Sequence, residues 1–259
     1  MRICNLSSGS KGNLTYIESG NTKALVDIGL SMKETIKRLN LLGVLPEEIN
    51  AIFVTHEHID HIKGISSFSA KYSTPVYVHY KGLDALKRKV GELTNLMAFN
   101  DTEFNVGDLG VSPFAVPHDV IRCTGYSFFE GEKKISITTD LGHTTPEILK
   151  NLSGSSIVYL EANHDEKTLL NNPKYPNLLK RRILGSNGHL SNLSAAETIF
   201  QLIKDGTKQV VLSHLSEENN SPALAYDSIC ARLAELGVIE GKHVRIDVAT
   251  LLPGVIFKL

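Results

Sequence analysis

The sequence predicts an α/β fold, with mixed sheets of the α+β type covered by helices. Two observations lead to this prediction. Short apolar, β-type runs recur along the 259 residues, and several are separated only by tight turns. Amphipathic helical segments interrupt the series without strict alternation, which argues against a purely parallel βαβ arrangement. We expect one domain that spans residues 1–259.

Nine segments carry the strand pattern. Segments 16–18 and 24–27 flank a turn at 19–22, and segments 125–130 and 133–138 flank Gly131-Glu132, so each pair predicts a hairpin. The strand segments are 16–18, 24–27, 51–54, 76–78, 111–116, 126–129, 135–138, 157–160 and 210–212.

Four segments carry the helical pattern. Segment 31–42 places Met32, Ile36 and Leu39 on one face, and segment 61–72 is predicted as one continuous helix. A capping box at Ser194-Ala-Ala-Glu197 predicts the start of a third helix. Segment 222–236 predicts the fourth.

Composition excludes several classes of protein. The formal net charge of −1 excludes a globally basic nucleic-acid-binding protein, although a local basic patch is compatible with it. Three widely spaced cysteines argue against a disulfide framework and for a reducing compartment. No apolar run approaches the roughly 18 residues of a membrane span, and the N-terminus lacks the apolar region of a signal peptide. We therefore expect a cytoplasmic protein that does not bind membranes.

Five predicted strands end at residues that bind metals, which is the central observation from the sequence. Strand ends can direct side chains into a shared crevice at one edge of a sheet. Because all five endings carry chemistry of the same kind, we expect a common site. The residues at these endings are His56, His118, Asp140, Glu161 and His214.

The first ending is the motif His56-Glu57-His58-Ile59-Asp60-His61. In extended backbone, His56 and His58 point to the same side and can bind one cation. Asp60 and His61 follow where the chain enters a helix and can turn toward a second cation. Imidazole and carboxylate ligands suit Zn²⁺, Mn²⁺ or Fe²⁺.

This motif, followed in order by His118, Asp140 and His214, resembles the metallo-β-lactamase superfamily. The stretches SGSKGN, THEHIDH, EANHD, KRRI, GHLSN and SHLSEENN are similar to its YycJ/WalJ branch, which is associated with DNA exonuclease activity and is related to the tRNase Z phosphodiesterases. The resemblance implies an αββα sandwich with two divalent metal ions. It implies one metal at His56, His58 and His118, another at Asp60, His61 and His214, and Asp140 as the bridge.

The same resemblance implies a reaction, the hydrolysis of phosphodiester bonds in DNA. A hydroxide between the metals would attack phosphorus, with Asp60 as part of the catalytic centre. His189, in the sequence GHLSN, would bind substrate or donate a proton to the leaving oxygen.

Further candidates for substrate contact surround these motifs. Ser191 and Asn192 precede a helix and offer donors to phosphate. Arg181 and Arg182 belong to a basic run that can pair with phosphate oxygens. His143 follows Asp140 by three residues and could face the substrate. His164 and Glu161 both lie in EANHD, and for these two residues a polar role near the site and a structural role stay open.

Two other functions are compatible with the motifs. The same metal site could hydrolyse a thioester or a lactam, since the first motif does not specify the substrate. Alternatively, the chain could be a regulatory module that binds nucleic acid without turnover.

Overall fold

Two seven-stranded sheets pack face to face and carry helices on both outer surfaces. The computed structural model describes all residues 1–259. The first sheet contains β1 (Arg2–Ser7), β2 (Leu14–Ser19), β3 (Thr22–Val26), β4 (Ile49–Phe53), β5 (Val76–His79), β6 (Leu96–Phe99) and β14 (Ile256–Lys258), in the order β14-β1-β2-β3-β4-β5-β6. The second contains β7 (Phe104–Val106), β8 (Leu109–Val116), β9 (Cys123–Glu130), β10 (Lys133–Thr138), β11 (Ile157–Glu161), β12 (Gln209–Ser213) and β13 (Arg245–Val248), in the order β13-β12-β11-β10-β9-β8-β7.

Nine helices connect the strands, together with 3-10 turns at Pro46–Glu48 and Tyr80–Gly82. The helices are α1 (Met32–Leu41), α2 (Ile59–Ile62), α3 (Ile65–Tyr72), α4 (Leu83–Val90), α5 (Pro146–Leu152), α6 (Glu166–Asn171), α7 (Asn177–Ile183), α8 (Asn192–Lys204) and α9 (Pro222–Glu235). None of them is long and apolar enough to cross a membrane.

Three hydrophobic cores define the layers of the fold. One core lies between the sheets and includes Phe53 of β4 and Phe128 of β9, whose ring centroids are 5.4 Å apart. A second core joins the second sheet to α5, α8 and α9. The third joins the first sheet to α1, α3 and α4. The layers therefore follow the order α-β-β-α, which confirms the predicted fold class.

The predicted hairpins are present, whereas the prediction of one helix over 61–72 is wrong. The chain forms α2 and α3 instead, with a break at Gly64. A Cβ atom at this glycine would lie 2.3 Å from the carbonyl oxygen of Leu30. The Gly64 amide donates to the Ile28 carbonyl at 2.8 Å, so the chain bends here to pack against the segment after β3.

The predicted capping box at Ser194 is also misplaced. Helix α8 begins three residues earlier, and Ser191 is its N-cap. The Ser191 hydroxyl accepts a hydrogen bond from the Ser194 amide at 3.2 Å, so Ser194 lies in the first turn. Ser191 and Ser194 both precede the apolar helical pattern, and the pattern alone does not show which of them caps the helix.

The strand directions bring the ends of β4, β8, β10, β11 and β12, which carry the predicted site residues, to one edge of the sandwich. In the first sheet, β3, β4, β5 and β6 run parallel, and in the second, β10, β11, β12 and β13 do so. Strand β8 is antiparallel to β9, which is antiparallel to β10, so β8 also ends at the edge where β10 ends. The edge at which these strands end holds the site.

Candidate metal centre

Residues that are distant in the sequence meet at this edge within a few ångströms. The ring centroids of His56 and His61 are 4.2 Å apart, and those of His61 and His214 are 5.7 Å apart. The His61 Nε2 atom lies 3.1 Å from Asp140 Oδ2. Since His56, Asp140 and His214 follow three different strands, the convergence results from the sheet topology.

The possible ligands form two main groups, which we call the first and second triads. The first triad consists of His56, His58 and His118, and the second of Asp60, His61 and His214. In each triad the ligand atoms lie within 4.8 Å of one another. Asp140 forms a further group of this kind with His56 and His61, so its carboxylate lies between the triads.

Hydrogen bonds behind the histidines fix which ring nitrogen is free. His61 Nδ1 pairs with Asp27 Oδ2 at 2.7 Å, and His214 Nδ1 pairs with Glu161 Oε1 at 2.8 Å. His118 Nδ1 donates to the Gly188 carbonyl at 3.2 Å. Such partners orient metal-binding imidazoles and leave Nε2 as the ligand atom.

Two features of the site fit divalent cations. The buried atoms His56 Nε2 and His214 Nε2 have no hydrogen-bond partner in the protein, although buried polar atoms are normally paired. His118 Nε2 and His58 Nδ1 are 3.4 Å apart. Two nitrogen ligands of a tetrahedral ion with bonds of ~2.0–2.1 Å lie at roughly this separation.

The carboxylate charges of the site favour a bound cation, which would replace the proton on His214. Burial lowers the pKa of His56 well below its usual range, so its imidazole is neutral. Burial acts on His214 in the same direction, but neighbouring carboxylates, above all that of Asp140, outweigh it and raise the pKa to about 10. Burial also opposes ionisation of Asp140, yet the surrounding histidines hold the pKa of its carboxyl well below the usual value. The ionised carboxylates that retain a proton on His214 would also attract a metal ion.

Three residues of the site have left-handed backbone conformations. The φ angles of Asp27, Asp140 and His214 are 60°, 56° and 55°. This region is uncommon for residues other than glycine and costs on the order of 1–3 kcal/mol per residue. Its use at three positions that carry or orient ligand atoms indicates that side-chain placement outweighs backbone preference here.

A cleft of about 220 Å³ opens above the triads. We call the face formed by the ligand residues and His189 the metal-ligand wall. The side chain of His189 is 22% exposed, and its Nδ1 pairs with Glu161 Oε1 at 2.9 Å. Arg182 also lines the cleft, where its guanidinium pairs with Asp119.

The other predicted substrate contacts lie elsewhere. Arg181 is exposed but does not line the cleft, and His143 lines a neighbouring depression, where its Nδ1 bonds the Ser186 carbonyl at 2.8 Å. Ser191, Asn192 and His164 are buried, with only 5%, 2% and 1% of their surface exposed. Ser191 caps α8, and the amide of Asn192 bonds Asn220, so these polar groups serve the fold. Burial lowers the pKa of His164 to about 4, so this histidine is neutral.

Sequence reasoning missed two residues that hold the site together. Asp27 follows β3 and accepts from the Thr55 amide and hydroxyl at 2.9 and 2.8 Å in addition to pairing with His61. Asp27 follows a predicted strand, as several candidate ligands do, so the strand-end pattern could have identified it. The Asn13 side-chain amide lies 2.9 Å from His61 Nε2, so it contacts the ligand atom itself and does not support the ring from behind. Its glycine-rich stretch carried no chemical motif that would predict this contact.

The fold and ligand arrangement define a class of metal-binding α/β proteins, and comparison identifies the family. Residues 22–215 match the family described as "Beta-lactamase superfamily domain". The chain belongs to the beta-lactamase superfamily, as its motifs predicted.

Two curated relatives narrow the relationship. The chain is 36% identical over 235 residues to "Exodeoxyribonuclease YycJ" of Bacillus anthracis, covering 90% of this chain and 89% of that protein. It is 34% identical over 241 residues to "Exodeoxyribonuclease WalJ" of Streptococcus pneumoniae, with the same coverage of 90% and 89%. These matches confirm the predicted branch.

A solved structure shows the same fold. The metallo-beta-lactamase fold protein YhfI from Bacillus subtilis superimposes with a TM-score of 0.74 at 15% identity, covering 99% of both chains.

Proposed function

We propose that this protein is a two-metal-dependent hydrolase of phosphodiester bonds that digests DNA from its ends. The proposal depends on one observation: the seven side chains predicted as metal ligands meet at one edge of the sandwich. The names of the curated relatives, both exodeoxyribonucleases, support DNA as the substrate. The cytoplasmic location expected from the composition stays a prediction.

Each triad would hold one divalent cation, with Asp140 between the two. Imidazole and carboxylate ligands suit Zn²⁺ and Mn²⁺, and Fe²⁺ is compatible with them. Bound cations of this kind supply Lewis acidity, which activates water and stabilises charge on phosphoryl oxygens.

His189 is the group we assign to proton transfer toward the leaving oxygen. Burial opposes its protonation, but the Glu161 carboxylate outweighs this effect and raises the pKa of His189 above its ordinary value. Because Nδ1 is bonded to Glu161, the other ring nitrogen is left for the cleft that His189 lines. A protonated imidazole in this position can donate a proton to an alkoxide as it departs.

The local charge at the cleft has to attract DNA, because the net charge of −1 gives no general attraction. Arg182 supplies a guanidinium at the cleft, and such a group pairs well with phosphate oxygens. We therefore assign phosphate contact to Arg182 rather than to Arg181, which lies outside the cleft.

The test combines metal analysis with digestion of labelled DNA that has defined 5′ and 3′ ends. We expect about two equivalents of bound metal and release of nucleotides from one kind of end. A chelator should abolish turnover, and added Zn²⁺ or Mn²⁺ should restore it. His189→Ala should slow cleavage of DNA by about 10²–10⁴-fold. It should slow cleavage of bis(p-nitrophenyl) phosphate much less, because p-nitrophenolate needs no proton to leave.

Two outcomes would contradict the proposal. Hydrolysis of a thioester or lactam by the metal-loaded protein, with none of any phosphodiester, would indicate a different substrate for the same site. Tight DNA binding without cleavage at full metal occupancy would indicate a regulatory module.

A further inference from the structure

The two faces of the cleft differ in chemistry. The metal-ligand wall and the adjoining loops contribute polar groups, whereas the three apolar residues that line the cleft all come from one segment of nine residues, 175–183. These residues are Tyr175, Leu179 and Ile183, which we call the α7 wall. A cleft that needed only to bind a phosphate would not require an apolar face.

Core packing does not explain this apolar face. Helix α7 contributes no buried residue to the protein, although its sequence is NLLKRRI. Leu178 is 81% exposed, and the residues of the α7 wall are only partly buried. Since none of them belongs to a hydrophobic core, their apolar surface is available to a ligand in the cleft.

Polar contacts of α7 hold the α7 wall in position relative to the metal-ligand wall. Arg182 pairs with Asp119, the residue after the ligand His118. The His189 amide donates to the Ile183 carbonyl at 3.0 Å, and Lys180 Nζ donates to the Leu170 carbonyl at 2.7 Å. The apolar face and the candidate proton donor are thus joined through the backbone.

We propose that the α7 wall is the surface on which the terminal nucleobase of the substrate packs, with the Tyr175 ring as its aromatic platform. This inference rests on the proposed function, because a phosphodiester held at the triads places its nucleoside beside the opposite wall. Aromatic rings stack on any base through its π-face. An enzyme that removes successive nucleotides needs this tolerance of sequence.

The size of the cleft indicates how the base arrives. Its volume of about 220 Å³ is below the roughly 300–1,000 Å³ of pockets that enclose drug-sized ligands. We therefore place one terminal nucleotide, and not a base pair, against the α7 wall. On a duplex end the terminal base would then leave its partner strand, and stacking on Tyr175 would offset part of the cost of unpairing.

A cycle of two substrates and two proteins tests the assignment. Oligonucleotides of one sequence carry either an ordinary nucleotide or an abasic residue at the end that the wild-type protein digests. We expect Tyr175→Ala to lower kcat/KM about 10-fold or more on the ordinary end, mainly through KM. On the abasic end, where no base can stack, the same substitution should cause no further loss.

Two matched variants provide controls. Tyr175→Phe keeps the ring and should retain wild-type values on both substrates. Leu178→Ala alters the same helix on its solvent side and should change neither. An equal loss on both substrates for Tyr175→Ala, or no loss on either, would overturn the inference while the proposed function stands. If the wild-type protein cleaves neither substrate, the proposed function fails, and this inference fails with it.

Discussion

The metal-ligand wall is largely buried and fixed by hydrogen bonds, whereas the α7 wall on the other side of the cleft lies at the surface. His56 and His61 have exposed fractions of 2% and 0%, but α7 buries no residue at all. On the first wall the fold determines the position of each ligand atom. On the second, a few polar contacts hold an otherwise free helix. We infer that one wall is built for chemistry, which tolerates little displacement, and the other for contact with a variable base.

The largest effect should come from removing a ligand of the second triad. We expect Asp60→Ala to reduce bound metal from two equivalents to one and to lower kcat/KM by more than roughly 100-fold. This loss exceeds the roughly 10- to 100-fold loss of metal affinity or activity that is typical when a residue that hydrogen-bonds a metal ligand is replaced. The Asp60 side chain is 21% exposed at the cleft, so the fold should be retained.

Metal analysis, DNA digestion and circular dichroism together check this expectation. Asp84→Ala, an exposed aspartate of α4 that belongs to neither wall, is the control. Retention of two metals and of turnover in Asp60→Ala would show that Asp60 is not a ligand that the second metal requires.

A smaller effect should follow from changing Glu161, whose carboxylate pairs with His189 and His214 of the metal-ligand wall. Burial raises the pKa of Glu161, but His189 and His214 outweigh it and lower the pKa to about 2, so this residue is an ionised acceptor. Its Oε2 also accepts from the amides of Leu141 and Leu190 at 2.6 and 3.1 Å. In Glu161→Gln, the amide NH₂ would face at least two donors.

We expect Glu161→Gln to lower metal affinity or activity about 10- to 100-fold. Zn²⁺ titration and steady-state kinetics provide the measurement. Glu166→Gln is the matched control, because Glu166 accepts only from the Ser191 hydroxyl beside α8. Equal behaviour of the two variants would mean that Glu161 has no special part in orienting His214 and His189.

The smallest effect should come from the charge at the end of the α7 wall. Arg182→Ala removes one phosphate contact near the cleft, and we expect DNA affinity to fall about 5-fold, equivalent to ~1 kcal/mol. The slope of log affinity against log salt should also fall by about one. Arg181→Ala changes the neighbouring charge outside the cleft and should leave both quantities unaltered. Identical salt slopes for both variants would contradict the assignment of Arg182.

The two walls also differ in how far the sequence predicts them. The candidate ligands His56, Asp140 and His214 each follow an apolar strand and have a distinctive residue type, so they could be identified before the structure. Strand patterns likewise predicted the hairpins and the mixed sheets. The break at Gly64 could not be predicted, because it depends on close packing against Leu30, which is distant in sequence.

The α7 wall lacks any such signal. Tyr175 just before α7 and Leu179 within it belong to no recognisable motif, and only the fold places them opposite the triads. For the same reason, Ser191 and Asn192 resembled phosphate contacts by their position before a helix, yet burial directs their side chains into the protein.

The three left-handed residues Asp27, Asp140 and His214 have a consequence for the evolution of this chain. Glycine adopts their backbone geometry without steric cost, but it would remove side chains on which buried hydrogen bonds and the candidate metal site depend. A library of variants sorted for nuclease activity should therefore lose glycine at all three positions, although the backbone there is of the kind that glycine prefers.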